Sequence, residues 1–201
     1  MTQRGPGGLD VRPVNATRET VLDAQGVALI IQRMAAEMIE RTRGAGRLGL
    51  VGIQRGGTPI ALRLAAEIRR ATQADVPVGE LDITFYRDDA ASTLPDPKVG
   101  PSRIEWDVEG ADVVLVDDVL QTGRTVRAAI DCLLDYGRPR RIWLAVLCDR
   151  GGRQLPIAAD FVGHTVAVPT GKVLEVLAEG GPDDGAWLRA WAAASVAGGT
   201  T

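Results

Sequence analysis

Residues 113–125, VVLVDDVLQTGRT, restrict the fold of this chain more than any other stretch. The run from Val113 to Val116 is continuously apolar and rich in β-branched residues, the pattern of a strand covered on both faces in a parallel sheet. It ends in two adjacent carboxylates, Asp117 and Asp118. A short loop holding Thr122, Gly123, Arg124 and Thr125 then opens a helix that the apolar spacing carries to about Tyr136. Backbone N–H groups at a helix N-terminus, with the helix dipole behind them, bind a phosphate. Gly123 permits close backbone approach, and the two threonine hydroxyls add hydrogen bonds. Carboxylates ahead of such a nest are misplaced for phosphate and well placed for the hydroxyls of a sugar, so the segment suits a sugar phosphate. The competing reading is that two aspartates at a strand end simply cap the next turn. Neither a GxxxxGK[ST] signature nor a GxGxxG after a strand is present, so ATP cleavage and dinucleotide binding have no motif support.

The same strand, loop, helix unit recurs. Leu48 to Ile53 is short and apolar; Gln54-Arg55-Gly56-Gly57 follows, and Ile60, Leu62, Leu64, Ala65 and Ile68 have helical spacing. Leu22, Leu29, Ile30, Met34, Met38 and Ile39 predict an earlier helix over about 22–43, and Val78 to Tyr86 a further strand. Arg141 to Leu147 reads as a buried strand. The segment from Asp88 to Arg103, with Pro95, Pro97 and Pro101, is expected to be a long mobile loop, a kind that usually carries function. Repeated units of this type predict an α/β fold, with a mostly parallel sheet flanked by helices and ligands at the carboxyl ends of its strands. The expected organisation is a flexible tail over 1–12, one domain over 13–185, and a C-terminal tail over 186–201, where residues become small and featureless.

Composition narrows the function classes. A chain of 201 residues with 45% hydrophobic and 24% charged residues is expected to fold as one globular domain. No apolar run approaches the roughly 18 residues of a membrane span, and the N-terminus lacks the apolar core of a secretory signal, so a cytoplasmic location is expected. Cys132 and Cys148 lack CxxC spacing and His164 has no ligand-type neighbour, which favours buried reduced thiols over a zinc site. His164 and Lys172 read as surface residues. A net charge of −3 gives no global attraction to nucleic acid, so any RNA contact must come from a local patch.

Residues 113–125 resemble the 13-residue phosphoribosyl-pyrophosphate motif of the type I phosphoribosyltransferases. AEMIERTRG (36–44), VGELDITFYRDD (78–89) and the stretch 136–163 resemble the PyrR family of pyrimidine-operon attenuators and uracil phosphoribosyltransferases. The resemblance spans roughly residues 20–180. It implies a type I phosphoribosyltransferase fold with a small hood over the base. It also implies transfer of the phosphoribosyl group from 5-phosphoribosyl-1-pyrophosphate (PRPP) to uracil, giving UMP and pyrophosphate, with Mg²⁺ carried on the donor rather than by a dedicated protein ligand set. Asp117 and Asp118 would hold the ribose hydroxyls, and Thr122, Gly123, Arg124 and Thr125 the 5′-phosphate. Arg55, Gly56 and Gly57 would form the pyrophosphate loop. Here the chain departs from the T-R-G common in PyrR relatives; its R-G-G is closer to purine-type enzymes, and a purine salvage enzyme is the alternative reading. Arg87, Asp88 and Asp89 open the loop that would close over the donor, and Asp149, Arg150 and Gly151 would border the base. As a bare pattern, Arg55 also reads as a solvated loop arginine and YRDD as a polar strand end.

The same resemblance implies binding of pyrimidine-operon leader mRNA in response to UMP or UTP, by a homodimer or higher homo-oligomer. Arg41, Arg43, Arg138, Arg141 and Arg153 are the candidate contacts, with Arg18, Arg33 and Arg140 beside them. Ala36, Ala158 and His164 stand where relatives often carry other side chains. The competing reading is a solvated face of arginines with scattered glutamate partners.

Overall fold

The computed structural model describes residues 18–42, 47–86 and 102–190. The central sheet contains β2 (Leu48–Ile53), β3 (Val78–Leu81), β4 (Asp112–Leu120), β5 (Arg141–Asp149) and β6 (Phe161–Thr165) in the order β3-β2-β4-β5-β6, parallel throughout. Three helices cover it: α1 (Ala24–Arg41), α2 (Gly57–Thr72) and α3 (Arg124–Leu133). Successive side chains of a strand point to opposite faces, and β4 uses both. Val114 and Val116 join Ile31, Met34, Ile60 and Leu64 of α1 and α2 in one core cluster. Val113 and Leu115 join Val126, Ala129 and Leu133 of α3 in the other. Leu115 is fully buried, and truncating such a leucine to alanine costs about 2–5 kcal/mol.

A second, three-stranded antiparallel sheet has the order β1-β8-β7, formed by β1 (Glu19–Leu22), β7 (Lys172–Leu177) and β8 (Gly185–Ala190). This is the hood. Ala186 and Leu188 bury one of its faces in the α1/α2 cluster. Arg63 of α2 pins the turn before β8, donating to Asp184 Oδ2 at 2.5 Å, while Asp184 also accepts the N–H groups of Gly180 and Gly181.

The strand order determines where a ligand goes. From β2 the chain steps to β3 on one side, and from β4 it steps to β5 and β6 on the other. The crevice between the carboxyl ends of β2 and β4 is therefore the point where the winding reverses, the place where open α/β sheets bind ligands. The loops 54–56 and 121–123 both open there.

Several expected boundaries move. The first helix starts at Ala24 rather than near Leu22, because Asp23 caps it and Leu22 belongs to β1. β3 stops at Leu81, since the Asp82 carboxylate takes both the N–H and the hydroxyl of Thr84 and turns the chain into a short 3₁₀ segment, Thr84–Tyr86. The strand expected over 113–116 runs from Asp112 to Leu120, so both carboxylates lie within it. The helix expected to reach Tyr136 ends at Leu133. Residues 186–190, assigned above to a C-terminal tail, form most of β8, because Ala186 and Leu188 alternate into the core. The tail expected over 1–12 and residues 191–201 lie outside the described residues.

Candidate functional site

Asp117 and Asp118 leave the sheet on opposite faces. Asp117 is only 6% exposed, and its Oδ1 accepts the N–H of Asp118 at 3.0 Å. Asp118 is half-buried, and its Oδ1 accepts the N–H of Val119 at 2.7 Å. Each carboxylate is thus held by the next amide, which fixes its direction before any ligand arrives. The neighbouring Cys148 thiol is pushed up to about 12, first by burial and then by the Asp118 charge, so it stays protonated and inert. Cys132 is likewise free and buried.

Beyond Leu120 the chain turns through Gly123, whose φ of 90° favours glycine. The loop 150–160 closes behind it. The carbonyl of Thr122 accepts the N–H groups of Gln154 and Leu155 at 3.0 and 3.1 Å, and Arg124 Nε donates to Gln154 Oε1 at 3.0 Å. The N-cap residue of α3, Gly123, has no side chain, and only the Thr122 hydroxyl reaches the helix start, accepting the Arg124 N–H at 3.3 Å, so the leading N–H groups suit a phosphate-type nest. The start of α2 is uncapped. There the peptide between Gln54 and Arg55 is cis, Arg55 is exposed, and Gly56 and Gly57 press on the end of β4. A Cβ on Gly57 would lie 2.0 Å from the carbonyl oxygen of Val116. The sequence-predicted ribose, phosphate and pyrophosphate segments are therefore neighbours in space.

A cavity of about 460 Å³ occupies the crevice. It is lined by residues 117–126, by Arg150 and by Leu174 of the hood. Leu174 was not identifiable from the sequence: it lies about 50 residues beyond the motif and reads there as an ordinary strand leucine. A larger cavity of about 580 Å³ lies on the outer face of the hood, around Trp187. Among the described residues that line it, Asp23, Glu175, Asp183 and Asp184 outnumber the one cation, Arg18, which already pairs with Glu175 at 3.6 Å and covers the Trp187 ring. Its charge suits a phosphorylated ligand poorly.

Of the residues expected to border the base, Arg150 lines the cavity, but the Asp149 carboxylate is engaged elsewhere. It accepts Gly151 N–H at 2.9 Å and Arg153 Nη2 at 2.5 Å. Burial raises its pKa, and the bonds from Arg153 and Gly151 outweigh that and hold it below the usual range. Gly151 turns at φ 69°. Arg87, Asp88 and Asp89 lie outside the described residues. The last described residue before them, Tyr86, is fastened to α3 by Arg127 Nη2 on its carbonyl at 3.0 Å, and its hydroxyl donates to Asp135 just beyond that helix. The bond to Asp135, then burial, pushes the phenol up to about 12.

Among the described residues, the candidate RNA-contacting arginines do not form one patch. Arg41 and Arg141 both cover Trp143, with guanidinium carbons 4.9 and 4.7 Å from its ring centroid. Arg41 also covers Phe161 at 4.7 Å and pairs with Glu37 and Asp160, each at 3.5 Å. Arg33 donates to the carbonyls of Val162 and Gly163, Arg138 to that of Leu134, and Arg140 pairs with Asp112 at 2.5 Å. Arg153 is at the opposite end of the sheet, clipping Gln121 and Ile157. Arg43 lies outside the described residues.

Paired carboxylates beside two open helix ends supply hard oxygen donors that fit Mg²⁺. Among the described residues no three His, Cys, Asp or Glu side chains converge as a metal site. Also among them, no helix is long and apolar enough to cross a membrane.

Comparison with known proteins agrees with this geometry. The model of the phosphoribosyl transferase domain matches residues 17–170. The Bifunctional protein PyrR of Roseiflexus sp. (strain RS-1) is 54% identical over 146 residues, covering 73% of this chain and 80% of that protein. That of Enterococcus faecalis is 48% identical over 169 residues, covering 84% and 93%. Among solved structures, the hypoxanthine phosphoribosyltransferase of Trypanosoma cruzi aligns with a TM-score of 0.65 at 18% identity, over 86% of this chain and 97% of that one. The Staphylococcus aureus hypoxanthine phosphoribosyltransferase aligns at 0.62 and 18% identity, over 90% and 97%. At such identities the structures share the fold alone.

Proposed function

The chain belongs to the phosphoribosyl transferase domain family and, within it, to the bifunctional PyrR proteins, and from that premise we propose that it is a uracil phosphoribosyltransferase and a regulator of pyrimidine-operon expression. The observation that carries the enzymatic half is the crevice between β2 and β4, where the buried Asp117 and half-buried Asp118 meet two helix N-termini whose N-cap residues are glycines.

In this reading the α3 nest binds the 5′-phosphate through backbone N–H groups and the hydroxyls of Thr122 and Thr125. Asp117 and Asp118 hold the ribose hydroxyls. The loop of Arg55, Gly56 and Gly57 receives the pyrophosphate, with Arg55 supplying positive charge. Uracil enters between Arg150 and Leu174. The C1–O bond to pyrophosphate breaks, the C1–N1 bond to uracil forms, and the N1 proton is lost. Such a transfer passes through a sugar centre with oxocarbenium character. It depends on holding the ring and neutralising the leaving group more than on a covalent nucleophile. Mg²⁺, arriving with the donor beside Asp117 and Asp118, would neutralise pyrophosphate charge. Arg87, Asp88 and Asp89 would close over the donor and exclude water.

The regulatory half is binding of pyrimidine-operon leader mRNA, tightened by UMP or UTP, in the cytoplasm and by a homo-oligomer. Exposed Leu29 of α1 and Leu62 of α2, at 58% and 56%, support self-association. Since Arg41 is spent on Trp143, Phe161 and Asp160, Arg141 is the better RNA candidate of the pair.

Measuring nucleotide formation from PRPP with each nucleobase tests the enzyme: uracil is expected to be the best acceptor, and faster turnover with guanine, xanthine or hypoxanthine would overturn the base assignment. Gel shifts with the leader of its own operon test the regulator. Affinity is expected to fall steeply with salt and rise with UMP; binding no tighter than to an unrelated stem-loop, with and without UMP, overturns it.

A further inference from the structure

Gly56 has φ −71° and ψ −31°, a right-handed helical conformation open to every L-residue. Backbone freedom therefore does not explain a glycine at this position; space does. A Cβ built there would lie 2.3 Å from Asp118 Oδ2, 2.4 Å from its Cγ and 2.9 Å from its Cβ. Asp118 is fastened on its other side, Oδ1 accepting the N–H of Val119, so its carboxylate cannot simply swing away. Gly57 differs in kind, because a Cβ there meets the backbone of β4 rather than a side chain.

We propose that Gly56 is a positioning residue for the transfer reaction and acts through Asp118, whose carboxylate lies in the space that a side chain at residue 56 would fill. The inference rests on the phosphoribosyl-transfer reading above. Its consequence is that the ribose contact and the pyrophosphate loop form one steric unit: the segment Gln54–Gly57 cannot shift without moving the carboxylate that orients the sugar. A substitution at Gly56 then damages donor binding by displacing Asp118, not by blocking the loop's own N–H groups.

A double-mutant cycle on the full chain separates these causes. The dissociation constant of PRPP with Mg²⁺ is measured by calorimetry for the wild type, Gly56→Ala, Asp118→Ala and the double variant, with donor KM, kcat and Tm alongside. Gly56→Ala is expected to weaken donor binding about tenfold in the wild-type background and less than about threefold once Asp118 is alanine, with little change in Tm. Equal factors in both backgrounds, or unimpaired binding by Gly56→Ala, overturn the proposal. Asp118→Glu, which leaves residue 56 untouched, covers the case in which Gly56→Ala does not fold. Its longer side chain is expected to lose affinity for want of room against Gly56, and wild-type affinity in that variant overturns the proposal too. A wild-type chain that does not bind PRPP overturns the site reading itself and this inference with it, an outcome distinct from binding with independent effects.

Discussion

At the start of α1 the carboxylate of Asp23 accepts the N–H of Gly26 at 2.8 Å, whereas α2 and α3 begin at Gly56 and Gly123, which offer no side chain at all. Every helix begins with N–H groups that lack intrahelical partners, and something must satisfy them. α1 begins beside the hood, away from the crevice, and the protein closes it with its own carboxylate. α2 and α3 begin at the winding reversal of the sheet, and there the described residues supply no acid in the first turn and no cap beyond the Thr122 hydroxyl on the Arg124 N–H. The anion expected at those two ends comes from the ligand.

The largest effect expected from this contrast is at the carboxylates beside the open ends. Asp117→Asn with Asp118→Asn is expected to lower kcat/KM for phosphoribosyl transfer about 10³-fold, the scale of losing preorganised electrostatic groups. Asparagine keeps an oxygen to accept the N–H of the next residue, so circular dichroism should be unchanged. Wild-type turnover at saturating Mg²⁺ and PRPP would remove the pair from the site.

Asp184 does for the 180–181 turn what Asp23 does for α1, but in a buried setting: its side chain is 2% exposed and also pairs with Arg63. Asp184→Ala leaves a guanidinium and two amides without their partner and is expected to cost about 3 kcal/mol in urea unfolding. Because the hood carries Leu174, acceptor KM should rise in molecules that remain folded. A loss under 1 kcal/mol would show that water replaces the carboxylate.

Thr122→Asp tests the contrast directly by giving α3 an acid of its own. A carboxylate near a helix N-terminus stabilises the helix by roughly 0.3–1 kcal/mol, so Tm should hold or rise slightly. The same charge would repel the 5′-phosphate, and donor affinity is expected to fall about 30-fold, a loss of about 2 kcal/mol. Unchanged affinity would move the phosphate elsewhere.

Local signals made much of this site legible in the sequence. The apolar run, the carboxylates, Thr122 and Gly123 are consecutive, and β2 matches the expected Leu48 to Ile53 because glycines end it. What escaped depends on residues far apart in the chain. Leu174 meets the crevice only through the hood, and β8, as long as β2 but mixed in residue type, does not stand out as a strand. Arg41 looked like a free basic group, yet Trp143, Phe161 and Asp160, over a hundred residues away, engage it. Asp149 looked like a base contact because its partner, Arg153, is recognisable only after the loop folds back.

The smallest effect completes the contrast from the closed end. Asp23 caps α1, and the first turn of that helix holds no acidic residue to take over when the cap is lost. Asp23→Ala is expected to cost about 1 kcal/mol, which for a chain of 201 residues lowers Tm by roughly 2–4 °C. The amide of Gly26 can still reach water, which keeps the penalty below that of a buried orphan donor. PRPP affinity and kcat are expected to stay at wild-type values, because α1 starts beside the hood rather than in the crevice. A thermal scan paired with a donor titration checks both halves. If donor affinity falls while Tm holds, α1 takes part in the site, and the division between ends closed by the protein and ends left for a ligand does not describe this fold.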